Sequence, residues 1–206
     1  SVRLNWDRPA MTDFQGEPIY YKDFAQEIDK LHDFFKAANL NRGDKVAICV
    51  RNSARWAITF FATLSYGAVV VSILHEFDKE SIEYIVDHSD SKIFFTDEAI
   101  WKDIDESKIS QVETTFSLDN FSLLKVNSKE LKKFETNSFN YFEEKYKKGF
   151  FVNDINFITE KPNDLAVINY TSGTTSSPKG VMIPFRSLWS NTKFANDNLE
   201  FIHAGD

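Results

Sequence analysis

The run Tyr170-Thr171-Ser172-Gly173-Thr174-Thr175-Ser176-Ser177-Pro178-Lys179-Gly180 packs six hydroxyl residues, two glycines and one lysine into a single segment. Hydroxyls donate short hydrogen bonds to phosphate oxygens, and glycines let a backbone approach a ligand with no Cβ in the way. Lys179 adds a compact positive charge, so the composition suits a polyphosphate. On composition alone, a solvent-exposed Ser/Thr turn explains the run equally well.

Comparison with the nucleoside-triphosphatase loop G-x-x-x-x-G-K-[ST], started at Gly173, separates the two chemistries. Pro178 stands where that motif needs its second glycine, and Gly180 stands where it needs Ser or Thr after the lysine. The following Val181-Met182-Ile183-Pro184 reads as a short strand, with the next helix starting near Ser187. No helix amino terminus then points at the loop, so the loop itself must supply the donors.

Positioning such a loop requires a buried strand before it, and Asp164 to Asn169 reads as one. Upstream, Phe24, Ile28, Leu31 and Phe35 recur at helical spacing from Tyr21 onward, and the turn formers of residues 39–44 end that helix. Lys45 to Arg51 is continuously apolar at its centre, the pattern of a strand covered on both faces. Ser53 caps a helix to about Tyr66 with Gly67 as its stop, and Ala68 to Ile73 forms the next strand. Asp78 caps a helix carrying Ile82, Ile85 and Val86, and Lys92 to Thr96 follows as a strand. Alternating strands and helices imply an α/β fold, a parallel sheet flanked by helices.

From Ile104 to Phe151 the pattern degrades: Phe116 to Val126 reads as one strand and Lys129 to Lys148 as an irregular helix. The division expected is a βαβ-type half over 1–103, a variable connection over 104–153, and the phosphate-loop strand with its following helix over 154–206. The mixture Lys145-Tyr146-Lys147-Lys148-Gly149-Phe150-Phe151 admits a nucleic-acid or peripheral membrane patch, but a solvated helix end is the expectation.

The bulk numbers narrow the partners. With 31 acidic and 24 basic residues the net charge is -7, a field that argues against nucleic acid while leaving room for one locally held phosphate ligand. Cys49 is the only cysteine, so no intramolecular disulfide forms; it reads as a buried structural thiol, and a reducing cytoplasm fits. No apolar stretch reaches membrane-span length, and the start at Ser1 without Met reads as a soluble piece of something longer. His32, His75, His88 and His203 show no metal-ligand spacing and read as ordinary structural or surface residues, as does the solvated pair Glu143-Glu144.

The segment Tyr170 to Val181 resembles the signature loop of the adenylate-forming (AMP-binding) superfamily, which includes acyl-CoA synthetases, luciferase and the adenylation domains of peptide synthetases. Residues 20–24, 40–48, 67–71 and 87–93 resemble earlier landmarks of that superfamily in the same order, so nearly the whole chain is covered. The chain is most similar to the amino-terminal portion of long-chain fatty acid CoA ligases. Ser176 departs from the glycine most common there, and Phe185 from a frequent histidine near the acyl site, which leaves the substrate class open.

The resemblance implies activation of a carboxylic acid by ATP to an acyl-adenylate, with Mg2+, followed by thioester formation with CoA; a fatty acid is the expected substrate. Two alternatives stand beside it: an aryl or amino acid passed to a carrier-protein thiol, and a nucleotide-binding module without catalysis. By position Thr171 lies nearest the metal and α-phosphate, while Ser172, Gly173, Thr174, Thr175, Ser176, Lys179 and Gly180 surround the β- and γ-phosphates; Thr171 and Lys179 are the catalytic candidates. The superfamily's acidic residue after a Tyr-Gly pair, its ribose-binding aspartate, its hinge and its carboxy-terminal lysine have no counterpart here. The 206 residues alone are therefore expected not to complete the reaction, and to self-associate through apolar surface left uncovered.

Overall fold

A computed structural model describes residues 2–158, 161–171 and 178–198. After a short β1/β2 ribbon (Pro9–Met11 and Ile19–Tyr20), the chain enters α1 (Tyr21–Ala37), which buries Phe24, Ile28, Leu31 and Phe35 as their spacing predicts. Asn39 ends that helix in the left-handed region at φ 54°, where its N–H donates to the Lys36 carbonyl and the Leu40 N–H to that of Phe35.

β3 (Lys45–Cys49), α2 (Ala54–Tyr66), β4 (Val69–Ser72), α3 (Lys79–His88) and β5 (Ser91–Thr96) follow. The capping residues act as expected. Ser53 accepts from the Trp56 N–H at 3.1 Å, Asp78 accepts from the Ser81 N–H at 2.8 Å, and Gly67 closes α2 at φ 89°.

α4 (Glu98–Asp103), β6 (Thr114–Ser117), β7 (Leu123–Val126), α5 (Lys129–Lys145), β8 (Leu165–Thr171), β9 (Lys179–Pro184) and α6 (Phe185–Asn198) complete the described elements. Seven strands form one sheet in the order β7-β6-β5-β3-β4-β8-β9. The five from β6 to β8 run parallel, and β7 and β9 close the two edges antiparallel. The expected α/β architecture with a mostly parallel sheet is what the chain adopts.

The path from β3 to β4 and the return past β3 to β5 run in opposite directions, so right-handed crossovers must put α2 and α3 on opposite faces. The core obeys. Val46 and Ile48 pack with α1 and α2, whereas Ala47 and Cys49 pack with Ile82, Ile85 and Val86 of α3. Alternate residues of a continuously apolar strand thus serve two cores. Phe35, Phe94, Phe95 and Phe116 are wholly buried, each side chain contributing roughly 1.5–3 kcal/mol of transfer free energy.

Two expectations are corrected. The stretch Phe116 to Val126 is not one strand but the antiparallel pair β6/β7, reversed at Phe121 with φ 58°. The reversal is built by side chains bonding back to backbone: the Asp119 N–H donates to Ser117 Oγ, and the Ser122 N–H to Asn120 Oδ1. The run from Lys145 is a solvated helix end only from Lys147 to Gly149, and its first two residues are fastened instead. Lys145 Nζ pairs with Asp29 at 2.5 Å and also with Asp33, and Tyr146 Oη donates to Asp29 at 2.7 Å, fastening α5 to α1. Smaller shifts are at element ends, with α6 starting at Phe185 rather than near Ser187.

Candidate functional site

The site is built on the hairpin β8/β9. β8 is the last parallel strand, pairing Val70 with Val167 and Ser72 with Asn169, so its exit lies at the carboxyl edge beside the ends of β3 and β4. Ligands of open α/β sheets bind at that edge. Tyr170 and Thr171 still belong to β8, and Lys179 and Gly180 already belong to β9, so the ladder takes in both ends of the hydroxyl-rich run.

Thr171 and Lys179 are direct cross-strand partners, as are Tyr170 and Gly180. Opposed residues share a face of the ladder, which sets the Thr171 hydroxyl and the Lys179 ammonium side by side on the face opposite to Tyr170. Both residues are exposed, and among the described residues neither side chain has a hydrogen-bond or ion-pair partner. Ser172, Gly173, Thr174, Thr175 and Ser176 lie outside the described residues, as does His203.

Gly180 has a structural reason for lacking a side chain. A Cβ there would lie 3.0 Å from the Tyr170 ring at Cζ and 3.0 Å from Ile168 Cγ2. The Tyr170 ring therefore occupies the space a side chain at 180 would fill. Tyr170 is 2 % exposed, and burial pushes its phenol up, with Tyr84 and Asp90 adding to the shift. His88 Nδ1 sits 2.8 Å from its hydroxyl.

Three residues at the same carboxyl edge form a group that sequence reading did not assemble, although His75 was named singly. Arg51 Nε donates to His75 Nε2 at 3.1 Å, and His75 Nδ1 faces Glu76 at 2.9 Å. With Asn52, Trp56 and Ser72, His75 and Glu76 line a cavity of about 140 Å³ past the ends of β3 and β4. Their signal was positional, since each follows a parallel strand by only a few residues. Among the described residues no group of three or more His, Cys, Asp or Glu could hold a metal ion. The Thr171 hydroxyl could serve as an oxygen donor to a divalent cation carried on a ligand's phosphates.

Cys49 is wholly buried and its thiol is pushed up to about 12, first by burial and then by Asp97 and Glu76, so it is no nucleophile. His32 is also buried, with Nε2 3.0 Å from the Ala62 carbonyl, and desolvation lowers its pKa. A larger apolar groove of about 500 Å³ runs between α2 and α6, bordered by Phe61, Leu64, Ile158, Leu188 and Trp189. It opens where α6 begins, at the Pro184 end of the hairpin; six residues of strand, about 20 Å, separate it from Thr171 and Lys179. No described helix is long and apolar enough to cross a membrane.

Comparison with known proteins bears on the family and the fold. The chain is 26% identical over 180 residues to fatty acyl-CoA synthetase A of Dictyostelium discoideum, covering 86% of this chain and 26% of that protein. It is 24% identical to a long-chain-fatty-acid-CoA ligase of Bacillus subtilis, covering 91% of this chain and 35% of that protein. The chain thus spans between about a quarter and a third of these relatives. Among solved structures, apo MatB from Rhodopseudomonas palustris superposes with a TM-score of 0.70 at 22% identity, over 95% of this chain and 36% of that one. The anthranilate CoA ligase AuaEII in complex with anthranoyl-AMP superposes with a TM-score of 0.75 at 16% identity, over 95% and 35%. The family model described as "AMP-binding enzyme" matches residues 1–205, and the chain belongs to that family.

Proposed function

We propose that the protein carrying this chain activates a carboxylic acid with ATP and passes the acyl group to the thiol of CoA. The observation that carries this is the Thr171/Lys179 pair, opposed on a strand hairpin at the carboxyl edge of the sheet, with a hydroxyl and an ammonium that are exposed and unpartnered among the described residues. In the first step a carboxylate oxygen attacks the α-phosphorus and pyrophosphate leaves; in the second a thiolate attacks the acyl carbonyl and AMP leaves. Negative charge shifts onto phosphoryl oxygens in the first step, so the protein's task is to present donors already in place.

Thr171 takes the position nearest the α-phosphate, and Lys179, with Ser172, Gly173, Thr174, Thr175 and Ser176, takes the β- and γ-phosphates. Magnesium, bound on the triphosphate, would neutralise its charge and orient it. The acid we infer is a fatty acid, because the relatives named above include fatty acyl-CoA synthetases. An isolated 206-residue chain is also inferred to self-associate, through exposed Phe61, Trp189 and Phe194.

The test is acid-dependent exchange of labelled pyrophosphate into ATP by the whole protein, across fatty, aryl and amino acids. Exchange stimulated by fatty acids is expected. Exchange only with aryl or amino acids would replace the substrate class, and no exchange with any acid would overturn the reading.

A further inference from the structure

Tyr170 differs from its neighbours at the end of β8. Asn169 and Thr171 are exposed, whereas Tyr170 turns to the opposite face and joins the core beneath α3. Its hydroxyl meets His88, the last residue of α3, at 2.8 Å. The two rings stand edge to face, with centroids 6.0 Å apart and an interplanar angle of 88°. His88 is itself held from the other side by Tyr84, one turn earlier, stacked at 5.2 Å and 26°. The Tyr170 ring then lies against Gly180 on the neighbouring strand, where a Cβ would come within 3.0 Å.

A buried tyrosine commonly finds some partner for its hydroxyl, so the hydrogen bond alone would be ordinary. Here the ring does a second job. It covers a glycine on an edge strand, as aromatic residues do across a ladder when the opposite residue offers no side chain. The two contacts lie at opposite sides of one side chain, and the residues that follow Tyr170 and precede Gly180 are Thr171 and Lys179. The ring and its tether thus hold both strands where the hydroxyl-rich run begins and ends.

We propose that His88 and Tyr170 are positioning residues for the nucleotide loop: α3 grips β8 through the His88–Tyr170 hydrogen bond, and the Tyr170 ring fixes β9 at Gly180, holding Thr171 and Lys179 in register. The inference rests on the ATP reading above. Misplacement of a binding group by about an ångström weakens its contacts sharply, so loosening this root should show in ATP use before it shows in folding. Neither residue touches the reacting atoms in this scheme.

The experiment compares the whole wild-type protein with Tyr170→Phe, His88→Ala and His88→Asn in pyrophosphate exchange with its best acid. Tyr170→Phe keeps the ring over Gly180 and removes only the tether, so it should fold as the wild type does. A three- to tenfold rise in the KM for ATP is expected, with the KM for the acid and the thermal midpoint little changed. His88→Ala should match it, the double variant should be no worse than either single one, and His88→Asn, which retains a donor and acceptor near Nδ1, should recover most of the loss. Amide exchange of Thr171 and Val181, measured without nucleotide, should quicken in Tyr170→Phe and serve as a readout independent of turnover. An ATP KM within twofold of wild type in both Tyr170→Phe and His88→Ala would overturn the proposal and leave the ATP reading standing. Wild-type protein inactive with every acid would overturn both.

Discussion

The sheet ends in two antiparallel returns built on the same plan, β6/β7 at one edge and β8/β9 at the other, and they differ in what becomes of their side chains. At the β7 edge the side chains that build the reversal bond inward: Ser117, Asp119 and Asn120 accept from nearby backbone N–H groups, and α5 packs on α1 close by. Phe34 meets Phe116, Phe134 and Phe142, while Lys145 joins Asp29 and Asp33. At the β9 edge Val181 and Met182 are 52% and 68% exposed, and Thr171 and Lys179 face solvent. One edge is sealed as scaffold and the other is exposed, as the proposed nucleotide site requires. Changes at the two edges should therefore separate cleanly, with stability responding at the first and ligand handling at the second.

The largest effect belongs to the open edge. Lys179→Ala in the whole protein should weaken pyrophosphate exchange about ten- to a hundredfold, the equivalent of one charge-assisted hydrogen bond worth roughly 1.5–3 kcal/mol. Thr171→Ala should fall in the same range. Neither residue has a partner among the described residues, so the urea midpoint should not move. Full exchange activity in both variants would erase the distinction between the edges.

At the sealed edge the corresponding change is Lys145→Met, which keeps the apolar stem but leaves Asp33, 7% exposed, with only Lys36 at 3.1 Å and Tyr141 at 3.3 Å. Removing one partner from a mostly buried charge cluster should destabilise by about 1–3 kcal/mol in urea unfolding, with the KM for ATP unchanged. Lys147→Met is the internal control. Its pair with Glu144 is 71% and 77% exposed, so it should stay within about 0.5 kcal/mol of wild type. Equal losses in the two variants would mean that the cluster does not clamp α5.

The contrast also explains what the sequence could reveal. The parallel core was readable because its signals are local: Ser53 and Asp78 cap within three residues, Gly67 stops a helix, and the run from Lys45 is apolar without alternation. The hydroxyl-rich run could be singled out as a candidate phosphate loop because its composition, its mismatch to the triphosphatase motif and its family resemblance all lie in contiguous residues. The clamp of Lys145 was not readable, because its partners at Asp29 and Asp33 are more than a hundred positions away. The link from His88 to Tyr170 spans 82 positions and was hidden for the same reason. Arg51, His75 and Glu76 become a group only when β3 and β4 lie side by side in register.

A third prediction concerns pH. His32 lies on α1, within the sealed region, and desolvation holds its pKa below the usual 6.5 despite the opposing influence of the Ala62 carbonyl and Asp29. Between the folded and unfolded values the unfolded chain binds more protons, so stability rises with pH there. The contribution is complete above about pH 6.5 and is lost as pH falls through the folded pKa. Unfolding free energies measured from pH 7.5 down to 5 should show this slope in the wild type and a flatter one in His32→Gln. A slope unaffected by the substitution would assign the acid sensitivity to other groups.

The smallest effect tests how much slack the sealed region retains. Asn39 and Gly67 end α1 and α2 in the same way, each left-handed, with the next residue's N–H bonded back into the last helical turn. Asparagine tolerates φ 54° less well than glycine does, but it restrains the unfolded chain more. These opposing contributions leave Asn39→Gly stabilising by at most about 0.5 kcal/mol. Its ATP KM should equal that of wild type, because the turn after α1 meets the hairpin at the end opposite to Thr171 and Lys179, where Arg42 Nη2 pairs with Asp164 at 2.6 Å just before β8. A shift in ATP handling from Asn39→Gly would mean that the α1 layer communicates with the loop, and the separation of the two edges would fail at its weakest perturbation.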